Sequence, residues 1–108
     1  MPPAAVTQDV FAALADVNRR TIVEILGRDG ERTVTQLVDA LDLPQPAVSK
    51  HLAVLREVGA VDVEARGRLR VYTLNAQAIK PVHDWASKFE KFWSHKLDRI
   101  KRRSEQSK

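Results

Sequence analysis

Residues Gln45 to Val61 read QPAVSKHLAVLREVGAV, and this stretch decides the fold. Pro46 stands early enough to be tolerated in a first helical turn, where its missing N–H has no intrahelical partner to lose. Gly59 ends the periodic run. At about 100° per residue, Val48, Leu52 and Leu55 share one narrow stripe, which predicts a helix from Gln45 to Val58 with that edge in a core. Pro46, Ser49, Lys50 and Ala53 lie on the other side. That outer face is short-chained and, apart from Lys50, uncharged. It suits a helix that must approach another surface closely, with an ordinary solvated face as the plainer alternative.

Outward from this helix the pattern changes period. Val61 to Arg66 and Leu69 to Leu74 are rich in β-branched and apolar residues, and Gly67-Arg68 between them has the composition of a two-residue hairpin turn. The result is a β-ribbon with Arg66, Arg68 and Arg70 at or near its tip. From about Ala78 a long helical pattern runs through Val82, Trp85, Ala86, Phe89, Phe92, Trp93, Leu97 and Ile100, with Pro81 near its start. It spans 78–102, and 103–108 is expected to be a frayed tail. On the other side, Leu37, Val38 and Leu41 predict a helix of about two turns, with Thr35 as its cap and Pro44 beyond its end. A preceding helix opens at Asp16 or Asn18, carries Ile22, Val23, Ile25 and Leu26, and is expected to stop at Gly27 and the Arg28-Asp29-Gly30 turn. Arg19 and Arg20 fall on its outer side. Val10, Phe11, Leu14 and Val17 predict a first short helix from Thr7 to Ala15, capped by Thr7 or Asp9.

The order is α-α-α-α-β-β-α, mainly helical with a two-stranded β-wing. That is the winged helix-turn-helix plan, in which the helix after the turn enters the major groove of DNA and the hairpin tip reaches neighbouring phosphates. The 108 residues suit a single domain, 1–108, with no room for a separate catalytic unit. No apolar run is long enough to span a bilayer and the start lacks a signal-peptide pattern, so a cytoplasmic protein is expected. Without cysteine there is no disulfide, thiolate metal site or thiol nucleophile. Lysine and arginine outnumber aspartate and glutamate by 18 to 14, and the excess is uneven. Residues 1–43 hold four basic and seven acidic side chains, 44–70 five and three, and 88–108 eight and three. The positive charge therefore lies in the half that carries the ribbon and the last helix, as a polyanionic partner requires. Catalysis has no support. Ser49, Lys50 and His51 are adjacent on a helix and splay apart, and there is no Gly-rich phosphate loop or carboxylate pair in a plausible cleft.

The strings ALADVNRRTIVEIL, Ala13 to Leu26, and QPAVSKHLAVLREVGAV resemble the ArsR family of bacterial repressors. That family typically reads A-L-A-D/S-x-x-R-x-x-I-L and later S-x-H-L-x-x-L-x-x-A-G-L-V, and the match runs from about Val10 to Leu74. The resemblance implies a dimeric repressor of its own or a neighbouring operon. Gln45, Pro46, Ser49, Lys50 and His51 would lie at the recognition helix, with Arg66, Arg68 and Arg70 on the wing. Physically, Gln45 can pair with an adenine edge and Lys50 with a guanine edge or a phosphate. Gln45 and Ser49 have N-terminal capping as an alternative, and His51 is divided between packing and phosphate contact. Arg19 matches the family's arginine, with a salt bridge inside the domain as the favoured role.

Many members of the family sense metals, through cysteines near the recognition helix or through Asp-x-His and His-x-x-Glu elements on the last helix. The first option is absent here. His83, His95 and Asp98 are candidates for the second, but Pro81 occupies the place of the carboxylate and Asp84 points elsewhere. No metal or other cofactor is therefore expected. The last helix resembles instead the subset ending in W-x-x-x-Y/F-x-x-F-W-x-x-x-L-D-x-L, whose members often lack metal ligands and lie in operons beside START-like or other small proteins. Val10, Phe11, Leu14, Trp85, Phe89, Phe92, Trp93 and Leu97 are expected to form a homodimer contact, since a small core cannot leave so much apolar surface bare. An effector pocket in the aromatic stripe, or a winged-helix module that docks proteins without binding DNA, are the alternatives.

Overall fold

The computed structural model describes residues 9–94 together with Lys96 and Ile100. Expectations for Thr7, His95, Leu97, Asp98 and the 103–108 tail lie outside the described residues. The elements run α1 (Val10–Ala13), α2 (Val17–Asp29), β1 (Arg32–Thr33), α3 (Val34–Leu41), α4 (Gln45–Glu57), β2 (Val61–Arg66) and β3 (Leu69–Leu74). A 3-10 turn (Ala76–Ile79) then leads into α5 (Lys80–Ser87). This is a winged helix-turn-helix, mainly helical with a small antiparallel β-wing. No helix among the described residues is long and apolar enough to cross a membrane.

Aspartates start the first two helices. The Asp9 carboxylate accepts from the Ala12 amide at 2.8 Å, and that of Asp16 from Asn18 and Arg19 at 2.8 and 3.1 Å. Each satisfies amides that have no partner within the helix. The Arg19 amide is the main reason the Asp16 carboxyl is held below its ordinary range, with Asn18 and the charge of His51 adding to it. Its folded pKa is depressed, so its contribution to stability is present above the ordinary value and lost as pH falls through the lowered one. Because Asp16 restarts the chain, α1 is a single turn and Val17, expected on its apolar face, is exposed at the head of α2.

Several boundaries differ from the sequence pattern for identifiable reasons. Gly27 does not stop α2, which continues to Asp29 and ends at Gly30, where φ is 85°. Gly27 instead permits a close approach, since a Cβ there would sit 3.2 Å from the Leu74 Cδ2. Thr33, not Thr35, caps α3: its hydroxyl accepts from the Gln36 amide at 3.2 Å while the Gln36 side chain accepts from the Thr33 amide at 2.9 Å. Only Thr33 has a glutamine three residues on to close this reciprocal box. The last helix is also interrupted. The Ser87 hydroxyl donates to the Asp84 carbonyl at 2.8 Å, and the Lys88 amide, which would use that acceptor in an unbroken helix, bonds Trp85 at 3.2 Å instead. Helical backbone resumes over 90–94.

The wing hairpin has the strand limits the sequence predicts, with Arg66 opposite Leu69 and Val61 opposite Leu74. Gly67 supplies the left-handed conformation its turn requires, at φ 63°. The two-stranded wing is joined by a short third strand, giving a sheet in the order β1-β3-β2. Arg32 and Thr33 pair with Tyr72 and Val71, giving donors and acceptors on the free edge of β3 a partner. The core joins Ile22, Ile25 and Leu26 of α2, Leu37 of α3, Val48, Leu52 and Leu55 of α4, and Val61 and Tyr72 of the wing. The Val48, Leu52 and Leu55 stripe fixes the rotation of α4, so its opposite face must look outward.

Candidate nucleic-acid interface

The outer face of α4 and the inner side of the wing form one continuous surface. A groove of about 510 Å³ is lined by Ser49, Ala53, Arg56 and Glu57 of α4 and by Arg70 and Tyr72 of β3. A second, of about 280 Å³, brings Gln45 together with Thr33, Val34 and Thr35 at the head of α3 and with Arg68, Leu69 and Arg70 of the wing. Arg70 borders both, so Gln45, Ser49, Arg68 and Arg70 meet along a single trough although they come from two elements. Capping does not occupy the helix residues: the N-cap of α4 is Pro44, with no side-chain cap bond. Pro46 and Lys50 are exposed on α4 but do not line either groove.

Arg56 is absent from the sequence expectations. The 49, 53, 56 spacing puts it on the groove side of α4. Thr35, expected as a cap, is released by the Thr33 box and lines the second groove.

Two further predicted contact residues, His51 and Arg66, also do not line either groove. His51 is turned toward the head of α2. Its Nδ1 lies 3.4 Å from Arg19 Nη1 and 4.0 Å from the Asp16 carboxylate, and its side chain is 18% exposed. The His51 ring thus packs against the head of α2. Arg19 Nε also donates to the Ala13 carbonyl, and Arg20 Nη1 donates to the carbonyls of Leu14 and Ala15 at 2.8 and 3.2 Å. The two arginines therefore serve the carbonyl end of α1, where cations are favoured, and the internal salt bridge expected for Arg19 is replaced by these bonds. Arg66 is the second. Its guanidinium is held by Glu31 and Glu64, which keep its proton more firmly bound than in an ordinary arginine, Glu64 contributing most.

Five other aromatic residues make a second surface, and none of them lines either groove. Phe11 of α1 meets Trp85 of α5 edge to face at 6.2 Å, Trp85 meets Phe89 at 5.3 Å, and Phe89 meets Phe92 and Trp93 at 6.3 and 6.4 Å. All five rings are exposed, Phe92 at 69%. Val10 and Leu14, grouped with them in the sequence, turn inward instead: Val10 is buried and Leu14 packs on the core of its own chain.

The family model for the bacterial regulatory protein, arsR family, matches residues 16–63. Over 92 residues the chain is 35% identical to the arsenical resistance operon repressor of Escherichia coli, covering 84% of this chain and 75% of that protein. The chain belongs to the arsR family of bacterial regulatory proteins. It is also 40% identical over 68 residues to the arsenic resistance transcriptional regulator ArsR1 of Pseudomonas putida, covering 63% of this chain. It spans about half, 53%, of that relative's length. A crystal structure of a possible transcriptional regulator for arsenical resistance is similar at a TM-score of 0.67 and 34% identity, covering 86% of this chain and 93% of that one. The resemblance on the Ala13–Leu26 and Gln45–Val61 strings is thus borne out, as is the winged helix-turn-helix. The family is one of DNA-binding transcriptional regulators, not of enzymes.

Proposed function

We propose that this protein is a homodimeric repressor that binds an inverted-repeat operator near its own gene. The observation that carries the proposal is the trough in which α4 and the wing share Gln45, Ser49, Arg56, Arg68 and Arg70. Gln45 and Ser49 are short neutral hydrogen-bonding groups suited to base edges, while arginines on both banks suit the two phosphate backbones that flank a major groove. Lys50, projecting from the outermost side of α4, reads a guanine edge or a phosphate. The five exposed rings are the dimer contact, because a monomer with this continuous aromatic surface would self-associate.

Ionic strength tests this against a protein-docking module. Each phosphate neutralised releases condensed counterions, so affinity for the DNA upstream of the gene should fall with a log–log salt slope of roughly −5 to −7 for a dimer using three or four cations per subunit. A partner bound through an aromatic surface would show almost no slope. Mobility-shift titrations from low to physiological salt measure it, and a flat dependence would contradict DNA binding.

The regulator is proposed to act without a metal. The chain has no cysteine and Pro81 stands where a ligating carboxylate would be needed. Among the described residues no three histidines or carboxylates gather at metal-binding distance, and His95 and Asp98 lie outside them. Zinc, nickel, cobalt, cadmium and arsenite at stoichiometric concentration should leave operator affinity unchanged. Calorimetry showing tight metal binding that disappears in His83→Ala or His95→Ala would overturn this.

A further inference from the structure

Arg66 ends β2 and flanks the hairpin turn at the wing tip, opposite Leu69. Its Nη1 bonds one oxygen of Glu31, its Nη2 donates to the other at 3.2 Å, and its Nε donates to Glu64 Oε1 at 2.9 Å. The grip on Glu31 is a two-pronged fork, the geometry in which guanidinium–carboxylate pairs are most directional. Glu31 stands just before β1, and β3 lies between β1 and β2 in the sheet, so the bridge ties the outer strand of the hairpin across its inner strand.

The anchor end of this bridge is itself braced. Arg32 Nη1 donates to the backbone carbonyls of Asp29 and Glu31 at 3.0 and 2.6 Å, and Arg28 pairs with Asp29 at 3.0 Å. Arg32 is also laddered to Tyr72, which is buried in the core. Glu31 is therefore a fixed post, whereas the hairpin tip beyond it is exposed on every residue from Glu64 to Arg70. Two carboxylates around one guanidinium leave this spot net negative. A phosphate approaching Arg66 would meet Glu31 and Glu64 first, and like charges directly opposed are repelled. Among the described residues Arg68 and Arg70 have no carboxylate within ion-pair distance.

We propose that Arg66 is a positioning residue of the wing and not a phosphate ligand: the Glu31–Arg66–Glu64 clamp sets the angle of the hairpin so that Arg68 and Arg70 reach the DNA backbone. This rests on the DNA-binding function proposed above. An exposed ion pair adds little to global stability, so its loss is felt as a loosened wing and not as unfolding.

The test is a set of DNA titrations with the full chain over a range of salt concentrations, using the DNA upstream of the gene, with thermal melts to confirm folding. Arg66→Gln and Glu31→Gln should each weaken binding by about tenfold with the salt slope unchanged, because neither removes a phosphate contact. The exchange Glu31→Arg with Arg66→Glu rebuilds the bridge in reverse and should recover affinity to near wild type. Arg68→Gln, by contrast, should lower the slope by about one unit per subunit. A reduced slope in Arg66→Gln, tighter binding in Glu31→Gln, or an exchange variant no better than Arg66→Gln alone would overturn the proposal. A wild-type chain that binds no DNA at any salt concentration overturns the functional assignment as well, and is distinguishable from all of these.

Discussion

Replacing Phe92 and Trp93 together by alanine should convert the proposed dimer to monomer and remove specific operator binding while every residue of the trough is intact. These rings are 69% and 51% exposed in the single chain, so truncating them removes little from its own core. In the proposed dimer they are buried. Aromatic residues at the centre of an interface commonly contribute about 2 kcal/mol or more each, and two-fold symmetry truncates four side chains at once. The dimer dissociation constant should rise at least about a thousandfold, even allowing for non-additivity. Operator affinity should then fall by about a hundredfold or more, since a monomer loses the effective concentration that one bound reading head gives the other. Sedimentation velocity paired with operator titration checks both. A variant that remains dimeric, or a monomer that binds the full operator as tightly as wild type, would assign the aromatic surface to something else.

The second large effect concerns the wing. Arg68→Ala with Arg70→Ala should reduce affinity on the order of a thousandfold near physiological salt and reduce the salt slope by roughly four units for a dimer, with all DNA sequences affected alike. Lys50→Ala should behave differently if it reads a base: a loss of about ten- to a hundredfold in discrimination at one position of each half-site, with a smaller change on non-specific DNA. Titrations on operator and scrambled duplexes at several salt concentrations separate the two. Equal losses for all three residues on specific DNA alone would contradict the division between backbone contacts and base contacts.

What the sequence revealed of this architecture is what local periodicity and turn chemistry encode. Val48, Leu52 and Leu55 set the helix and its rotation, and Gly67-Arg68 set the hairpin register, without reference to any distant residue. The features not legible are those decided by partners far along the chain. Arg66 counts as an exposed cation until Glu31, 35 residues earlier, is seen beside it. His51 lies 32 residues from Arg19, and only the packing of α4 on α2 decides that it faces inward. Two-residue β1 carries no periodic signal and exists because β3 offers an edge. Other differences were local and available: Thr33 with Gln36 is a complete capping box, and the back-bonding capacity of Ser87 marks where the last helix can break. Arg56 was within reach too, since the spacing that selects Ser49 and Ala53 extends to it.

The central claim is that two copies of the α4–wing trough, held by the aromatic surface, read one inverted repeat. Hydroxyl-radical footprinting of wild-type protein on the DNA upstream of its own gene tests this most directly. The expected result is two protected segments related by two-fold symmetry, centred about one helical turn or a multiple of it apart, that appear together at one protein concentration and vanish together in the Phe92→Ala, Trp93→Ala variant. A single protected segment that persists in that variant, or no protection at a protein concentration that saturates mobility shifts, would contradict it.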